Sequence, residues 1–249
     1  MATAPVFVCE SLTGARPGTT LRLTGPEGRH AVSVRRLRVG EALVLTDGEG
    51  VGAAGTVAAV EGRDTLDVTV AEVWEEPWPR PRLTVVQALP KGDRGELAVE
   101  TMTETGVDAI VPWTAARCVT QWRGERGAKS LAKWRATARE AGKQARRVRF
   151  PAIAEPVTTR ELAGNLAAGA AFAAVLHESA AEPLAAAPLP AEGEIVLIVG
   201  PEGGVAPEEL AAFEDAGARA YRLGPTVLRT STAGTAAAAL LLGRSGRWS

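Results

Sequence analysis

Between Pro5 and Trp74 the apolar residues come in short runs parted by turn-forming residues. These are PVFVCE at 5–10, TLRLTG at 20–25, EALVLTDGEG at 41–50, GAAGTVAAV at 52–60 and TLDVTVAEVW at 65–74. Alternation such as Leu66, Val68, Val70 predicts half-buried strands, and Asp47-Gly48 and Glu61-Gly62 mark turns between them. Residues His30–Val39 interrupt the pattern and predict a short basic helix. A small β-barrel domain over 1–76 follows. The segment Glu75-Glu76-Pro77-Trp78-Pro79-Arg80-Pro81-Arg82 then breaks any helix and favours extended backbone, so 77–82 is predicted as a linker.

Beyond it, from 83 to 249, strand-like and helix-like patterns alternate. Strands are predicted at LTVVQAL, VDAIVPW, AAFAAVLH, EIVLIVG and RAYRLG. Helices are predicted at Arg94–Thr105 (closed by Gly106), Ala128–Arg147, Thr159–Leu166, Pro207–Ala216 and Ser231–Leu242. In the second of these, Leu131, Trp134, Ala138, Ala141 and Ala145 make one apolar stripe. Such alternation means an α/β domain, with a mostly parallel sheet covered by helices on both faces. The alanine-rich stretch 180–191 is predicted as a connecting loop.

Hydrophobic residues are 46% of the 249 and charged ones 23%, which excludes a disordered chain. No apolar run approaches the roughly 18 residues that cross a bilayer, and MATAPVFVCE lacks the form of a signal peptide. A cytoplasmic protein that uses no membrane is expected. With only Cys9, Cys118, His30 and His177, neither a disulfide framework nor a metal site is expected. The net charge of −1 conceals a partition: residues 1–40 carry +4 and 117–150 carry +9, leaving −14 elsewhere. Basic islands on an acidic chain point to a polyanion, or to solvated helix faces such as the one bearing Lys129, Lys133, Arg135, Arg139, Lys143 and Arg146.

In a parallel α/β sheet, ligands bind beyond the carboxyl ends of the strands. Three such ends are unusual: Gly200-Pro201-Glu202-Gly203-Gly204 ahead of Pro207, Leu223-Gly224-Pro225 running into Leu228-Arg229-Thr230, and Leu176-His177-Glu178-Ser179. Each alone is explained by a tight turn. Together they predict a small-molecule site made mostly of backbone. The chain has neither the dinucleotide glycine fingerprint nor a phosphate-binding loop, and the residues by themselves do not identify the ligand.

The combination resembles the RsmE family of SPOUT methyltransferases, which methylate N3 of a uridine in 16S ribosomal RNA. The matching segments are His30–Gly40 (HAVSVRRLRVG), Ala88–Arg94 (ALPKGDR), Thr103–Val107 (TETGV), Glu140–Arg147 (EAGKQARR), Gly200–Gly204 (GPEGG) and Leu228–Thr230 (LRT). The resemblance implies a PUA-like β-barrel followed by an α/β domain with a deep trefoil knot. It implies S-adenosylmethionine (SAM) as cofactor, held by Leu176, His177, Gly200, Pro201, Glu202, Gly203, Leu223, Gly224, Leu228, Arg229 and Thr230. It also implies a homodimer acting on the small ribosomal subunit. Arg35, Arg36, Arg38, Lys91, Arg117, Arg146 and Arg147 become candidate contacts to RNA phosphates. The chain departs from the family at Ser231, where members commonly have glutamate, and at Ala4-Pro5, where many have arginine.

Methylation at N3 needs an extruded base and loss of the imide proton. Arg229 is a candidate catalytic residue that stabilises the developing anion, or else a brace for its own loop. Glu202 is a candidate to orient the cofactor or accept the proton, or else a loop cap. His177 reads as pocket lining. Two other functions stay open: a non-catalytic RNA-binding or ribosome-assembly protein, and a knotted methyltransferase of tRNA or of a ribose 2′-hydroxyl.

Overall fold

A computed structural model describes residues 4–9 and 11–248 and divides into two compact units, 1–77 with 139–150, and 78–138 with 151–249. The expected run 5–10 ends at Glu10, which lies outside the described residues.

The first unit holds β1 (Val6–Val8), β2 (Thr20–Leu23), α1 (Gly25–Arg29) continuing as a π-helical turn over His30–Val34, β3 (Ala42–Thr46), β4 (Val51–Glu61) and β5 (Thr65–Glu75). The helix therefore starts five residues before the expected His30 and stops at Val34. Pro26 sits in its first turn, where a missing N–H costs nothing. The strands form one sheet in the order β1-β3-β4-β5-β2, antiparallel except for β1 with β3. Register shifts between Ala54 and Gly55 and between Val57 and Ala59 let the long β4–β5 hairpin coil. Phe7, Leu43, Leu45, Leu66, Val68 and Val70 fill its core.

Residues 139–150 belong to this unit, although sequence order suggested the second domain. The physical reason is a set of specific bonds. Phe150 N–H donates to Gly48 O at 2.8 Å, Thr46 Oγ1 to Val148 O at 2.8 Å, and Gly50 N–H to Val148 O at 3.0 Å. The buried Lys143 ammonium lies 2.8 Å from Glu27 Oε1, and Arg139 adds a second cation at 3.5 Å. Burial alone would raise the Glu27 carboxyl. Hydrogen bonds from Lys143 and the Val8 N–H, with the charges of Lys143 and Arg139, hold it below the ordinary carboxylate range.

The second unit contains β6 (Arg82–Ala88), α2 (Arg94–Thr105), β7 (Ala109–Thr114), most of α3 (Gly124–Gln144), β8 (Ala152–Ile153), β9 (Val157–Thr158), α4 (Thr159–Gly169), β10 (Phe172–Leu176), β11 (Glu194–Val199), α5 (Pro207–Asp215), β12 (Arg219–Tyr221) and α6 (Thr230–Arg244). The sheet order is β12-β10-β11-β6-β7-β8, with β9 also on β7, and every pairing is parallel. Strand β11 shows why its sequence is apolar throughout. Ile195, Leu197 and Val199 join the core that includes Met102, Trp134 and Leu241, while Val196 and Ile198 join the one with Leu162, Val175 and Phe213. Helix α6 closes on α2 at Gly234, where a Cβ would come within 2.8 Å of Met102 Sδ. The α6 end is fixed by Arg247, whose guanidinium pairs with the buried Asp108 carboxylate.

The basic island at 117–150 is only partly free for a polyanion. Lys133 pairs with Glu96 at 3.0 Å, Arg135 with Glu155 at 2.9 Å, and Arg139 and Lys143 with Glu27.

Replacing Lys143 with Met is expected to cost about 2 kcal/mol, below the full penalty of a dry pair because Glu27 keeps some solvent contact. Urea denaturation measures it. The Glu27 pKa is depressed on folding, so its contribution is complete above the unfolded value of about 4.3 and is lost as pH falls toward the folded one. The variant should therefore lose stability less steeply in acid than the parent, and parallel acid curves would refute the pairing as a stabilising contact.

Candidate functional site

The carboxyl ends of β10, β11 and β12 lie together at one edge of the parallel sheet, and the loops that leave them enclose a cleft of about 1280 Å³ in the second unit. All eleven residues expected to hold the cofactor line it: Leu176 and His177 after β10, Gly200 to Gly203 after β11, Leu223 and Gly224 after β12, and Leu228 to Thr230 entering α6. Lys91 and Arg117, expected at RNA, line the same cleft. Arg35, Arg36, Arg38, Arg146 and Arg147 belong to the first unit. Of these, all but the half-buried Arg147 are exposed.

Each loop is locally determined. At Gly200 a Cβ would lie 2.8 Å from Val205 Cγ2, so the turn closes only around glycine. Gly204 has φ +74°, a left-handed conformation that favours glycine, and its N–H donates to Pro201 O at 2.9 Å. Arg117 Nη1 donates to Gly203 O at 3.0 Å, and its side chain occupies the space a residue-203 Cβ would enter. Val205 and Ala206 then lead to Pro207 at the first position of α5.

A hydrogen-bonded relay joins two of the loops. Gln87 Nε2, buried at the end of β6, donates to Thr230 Oγ1 at 2.9 Å, and Thr230 Oγ1 donates to Gly200 O at 2.8 Å. The direction is forced, since Gln87 also donates to Ala88 O and Gly200 O can only accept. Thr230 Oγ1 therefore has no proton left to give and can act toward a ligand only as an acceptor.

The remaining polar groups divide by whether the protein already uses them. Glu202 Oε1 accepts from the Lys91 N–H at 3.2 Å, which braces the 90–93 loop. His177 Nδ1 accepts from the Ser179 N–H at 3.3 Å, so Nδ1 is engaged by its own loop. Arg229 is exposed, and its guanidinium has no hydrogen-bond partner among the described residues. The N–H groups of Gly224 and of Thr226 to Leu228 are likewise unpaired among the described residues, although those residues line the cleft. Burial pushes the Cys118 thiol up, so it is a poor nucleophile. Ser231 is buried in the first turn of α6. Among the described residues no three His, Cys, Asp or Glu side chains gather as they would around a metal ion.

Sequence reasoning missed two supports of this site. Gln87 reads as one more residue of an apolar strand, and nothing in the pattern marks its relay to a residue 143 positions away. Glu209 looks like an exposed helix residue. It is buried, accepting from Ala116 N–H at 2.8 Å, Thr159 Oγ1 at 2.7 Å and Ala206 N–H at 3.2 Å. That carboxylate holds the chain next to Arg117 in place.

An RNA methyltransferase domain model matches residues 76–242, and an RNA methyltransferase PUA domain model matches 23–71. Ribosomal RNA small subunit methyltransferase E of Mycobacterium bovis is 48% identical over 235 residues, covering 93% of this chain and 89% of its own. The Bacillus subtilis protein of that name is 27% identical over 221 residues, 86% of each chain. Among solved structures, a methyltransferase of Legionella pneumophila with bound SAM superposes with a TM-score of 0.85 at 28% identity, covering 98% of both chains. Ribosomal RNA small subunit methyltransferase E of Neisseria gonorrhoeae, bound to S-adenosyl methionine, gives 0.84 at 27% identity, covering 97% of this chain and 98% of that one.

Thr230→Val keeps the side-chain shape but removes the acceptor of the second Gln87 amide N–H, which keeps only Ala88 O, and the side-chain donor to the Gly200 carbonyl. A loss of about 2 kcal/mol is expected in urea denaturation, with Thr230→Ser close to the parent. Amide hydrogen exchange should quicken at both 200–204 and 228–234 in the valine variant. Unchanged exchange at 200–204 would show that the relay does not join the two loops.

Proposed function

This chain belongs to the RNA methyltransferase family, and from that premise we propose that it transfers the methyl group of SAM to N3 of a uridine in 16S ribosomal RNA, in the cytoplasm. The observation that carries the reading is the single cleft at the carboxyl edge of the parallel sheet, which gathers all eleven expected cofactor residues. The fit to SAM rests on the donor set. Unpaired backbone N–H groups at Gly224 and Thr226 to Leu228 suit acceptor atoms of an adenine, and the acceptor-only Thr230 suits a hydroxyl or ammonium. When bound, SAM supplies an electrophilic methyl group.

The chain's own residues do the rest. The extruded uracil must lose its N3 proton, and charge then spreads onto the flanking carbonyl oxygens. Arg229, on the cleft wall at the entry to α6 and without a side-chain partner among the described residues, is the residue we assign to hydrogen-bond that charge. Glu202 is one of two acidic groups at the cleft, with Glu178, and has Oε1 taken by the Lys91 N–H, which leaves its other oxygen to orient cofactor or take up a proton. The second domain, 83–249, is the catalytic one in this reading, with the trefoil threading of its C-terminal segment. The first, 1–76, binds RNA. Arg35, Arg36, Arg38, Arg146 and Arg147 contact phosphates from the first unit, and Lys91 and Arg117 do so at the cleft rim.

We also read the active form as a homodimer. Val119, Val227 and Leu228 are 74%, 79% and 37% exposed and all line the cleft, an apolar rim that a second copy would cover.

Purified protein, labelled SAM and small ribosomal subunits lacking the modification test the reaction, with digestion to nucleosides to identify the product. Label in 3-methyluridine is expected. Label in another nucleoside moves the substrate, and a protein that binds RNA but neither SAM nor label would be an assembly factor. Arg229→Ala should lower kcat about 100-fold while SAM affinity stays near normal. In sedimentation, Val227→Asp should shift the dimer toward monomer, and a parent protein that is monomeric at all concentrations would refute the dimer.

A further inference from the structure

Three helices of the second unit stop in the same way. After α2, α5 and α6 the N–H groups of Val107, Ala218 and Arg247 reach back five residues to the carbonyls of Met102, Phe213 and Leu242 at 3.1, 2.9 and 3.1 Å. The residue just before each donor is glycine at positive φ: Gly106 at 106°, Gly217 at 93° and Gly246 at 77°. Such closures place one residue in the left-handed region, where a Cβ meets the following carbonyl.

Two closures in the first unit break this rule. After α3 the Arg147 N–H reaches Gly142 O at 3.0 Å, and after the π-helical turn the Leu37 N–H reaches Ala31 O at 3.0 Å. The left-handed residues there are Arg146 and Arg36, both at φ 58°. They are the only non-glycine residues at positive φ among those described. Asparagine and aspartate are the usual substitutes for glycine in this conformation, and arginine is not. Both side chains are exposed, and neither has a hydrogen bond or ion pair among the described residues. The closing backbone bonds offset part of the backbone cost, as they do at the glycine-ended helices, but no side-chain contact of either arginine adds to them among the described residues. That contrasts with Arg139 and Lys143 on the same unit, which are held by Glu27.

We propose that Arg36 and Arg146 are fixed phosphate anchors for the RNA substrate, retained in a strained backbone geometry because each helix end then presents a guanidinium from a rigid point. The proposal rests on the RNA-methyltransferase reading and adds to it which of the candidate arginines dominate, and why. A left-handed residue at a helix end cannot slide along the helix surface, so its side chain starts from one defined direction. Ordering it on RNA forfeits less freedom than ordering an arginine on a flexible loop. Local strain of this kind is expected at sites under functional demand.

The test uses Arg36→Gly, Arg146→Gly, the double variant and the matching lysine variants, in the full-length protein. Glycine removes the strain, so thermal midpoints should stay level or rise. Affinity for unmodified 16S ribosomal RNA should fall about ten-fold for each single glycine variant and about a hundred-fold for the double. The slope of log affinity against log salt should flatten by about one for each residue lost, while the lysine variants keep the parent slope. SAM affinity should not change. Parent-like RNA affinity in stable glycine variants overturns the proposal and leaves the enzymatic reading intact. Glycine variants that melt well below the parent also overturn it, because the left-handed residue would then be serving the fold. Unchanged affinity for free RNA, with lost affinity for assembled subunits, would assign the arginines to a protein partner and overturn the RNA assignment. A parent protein that neither binds nor methylates this RNA overturns both.

Discussion

One all-parallel ladder orders everything functional in the second unit. Because β6, β10, β11 and β12 run in the same direction, their carboxyl ends and the loops after them emerge at a single edge. Direction alone would leave those loops as independent turns. The Thr230 hydroxyl ties two of them together, since it accepts a hydrogen bond from Gln87 and donates one to Gly200 O, linking the start of α6 to the loop after β11. Gln87 can serve this way only because it is wholly buried, where an unmade hydrogen bond is costly.

Buried polar groups repeat that logic elsewhere. Glu209 collects three donors from the chain before Arg117, the start of α4 and the start of α5. Asp108 takes the Leu83 N–H at 2.8 Å and the Arg247 guanidinium, which anchors the far end of α6. In the first unit, Glu27 and Lys143 tie residues remote in sequence. Apolar packing supplies most of the stability, but these few ionic and amide contacts decide where the loops go. Arg229 on the cleft wall and the arginines at the two strained helix ends are, by contrast, without a side-chain partner among the described residues.

The division of cations follows from burial. A charge taken out of water must be paired, so Lys143 has its carboxylates and is unavailable to a ligand. Arg36 and Arg146 remain in water without partners. Counting lysines and arginines along the chain merges these two populations, and for that reason the +9 of residues 117–150 overstates the free basic surface.

Period and punctuation were enough to read the strand-rich first domain, the alternating second one, and the three loops of the cleft. Those features are local: an apolar strand, a glycine turn and a helix start each leave a mark within about ten residues. The short strands β8 and β9 left none, being two residues each. Nor did the assignment of 139–150, because an unbroken helix runs through the boundary between the units and only the bonds to Glu27, Thr46 and Gly48 reveal which side its end joins. The roles of Gln87 and Glu209 were also invisible, since each depends on partners 143 and 93 positions away in the chain. The backbone angles of Arg36 and Arg146 were hidden too, because in sequence they are two arginines among 28 Lys and Arg. Residue type limits what a side chain can do, but long-range neighbours determine whether it is already engaged.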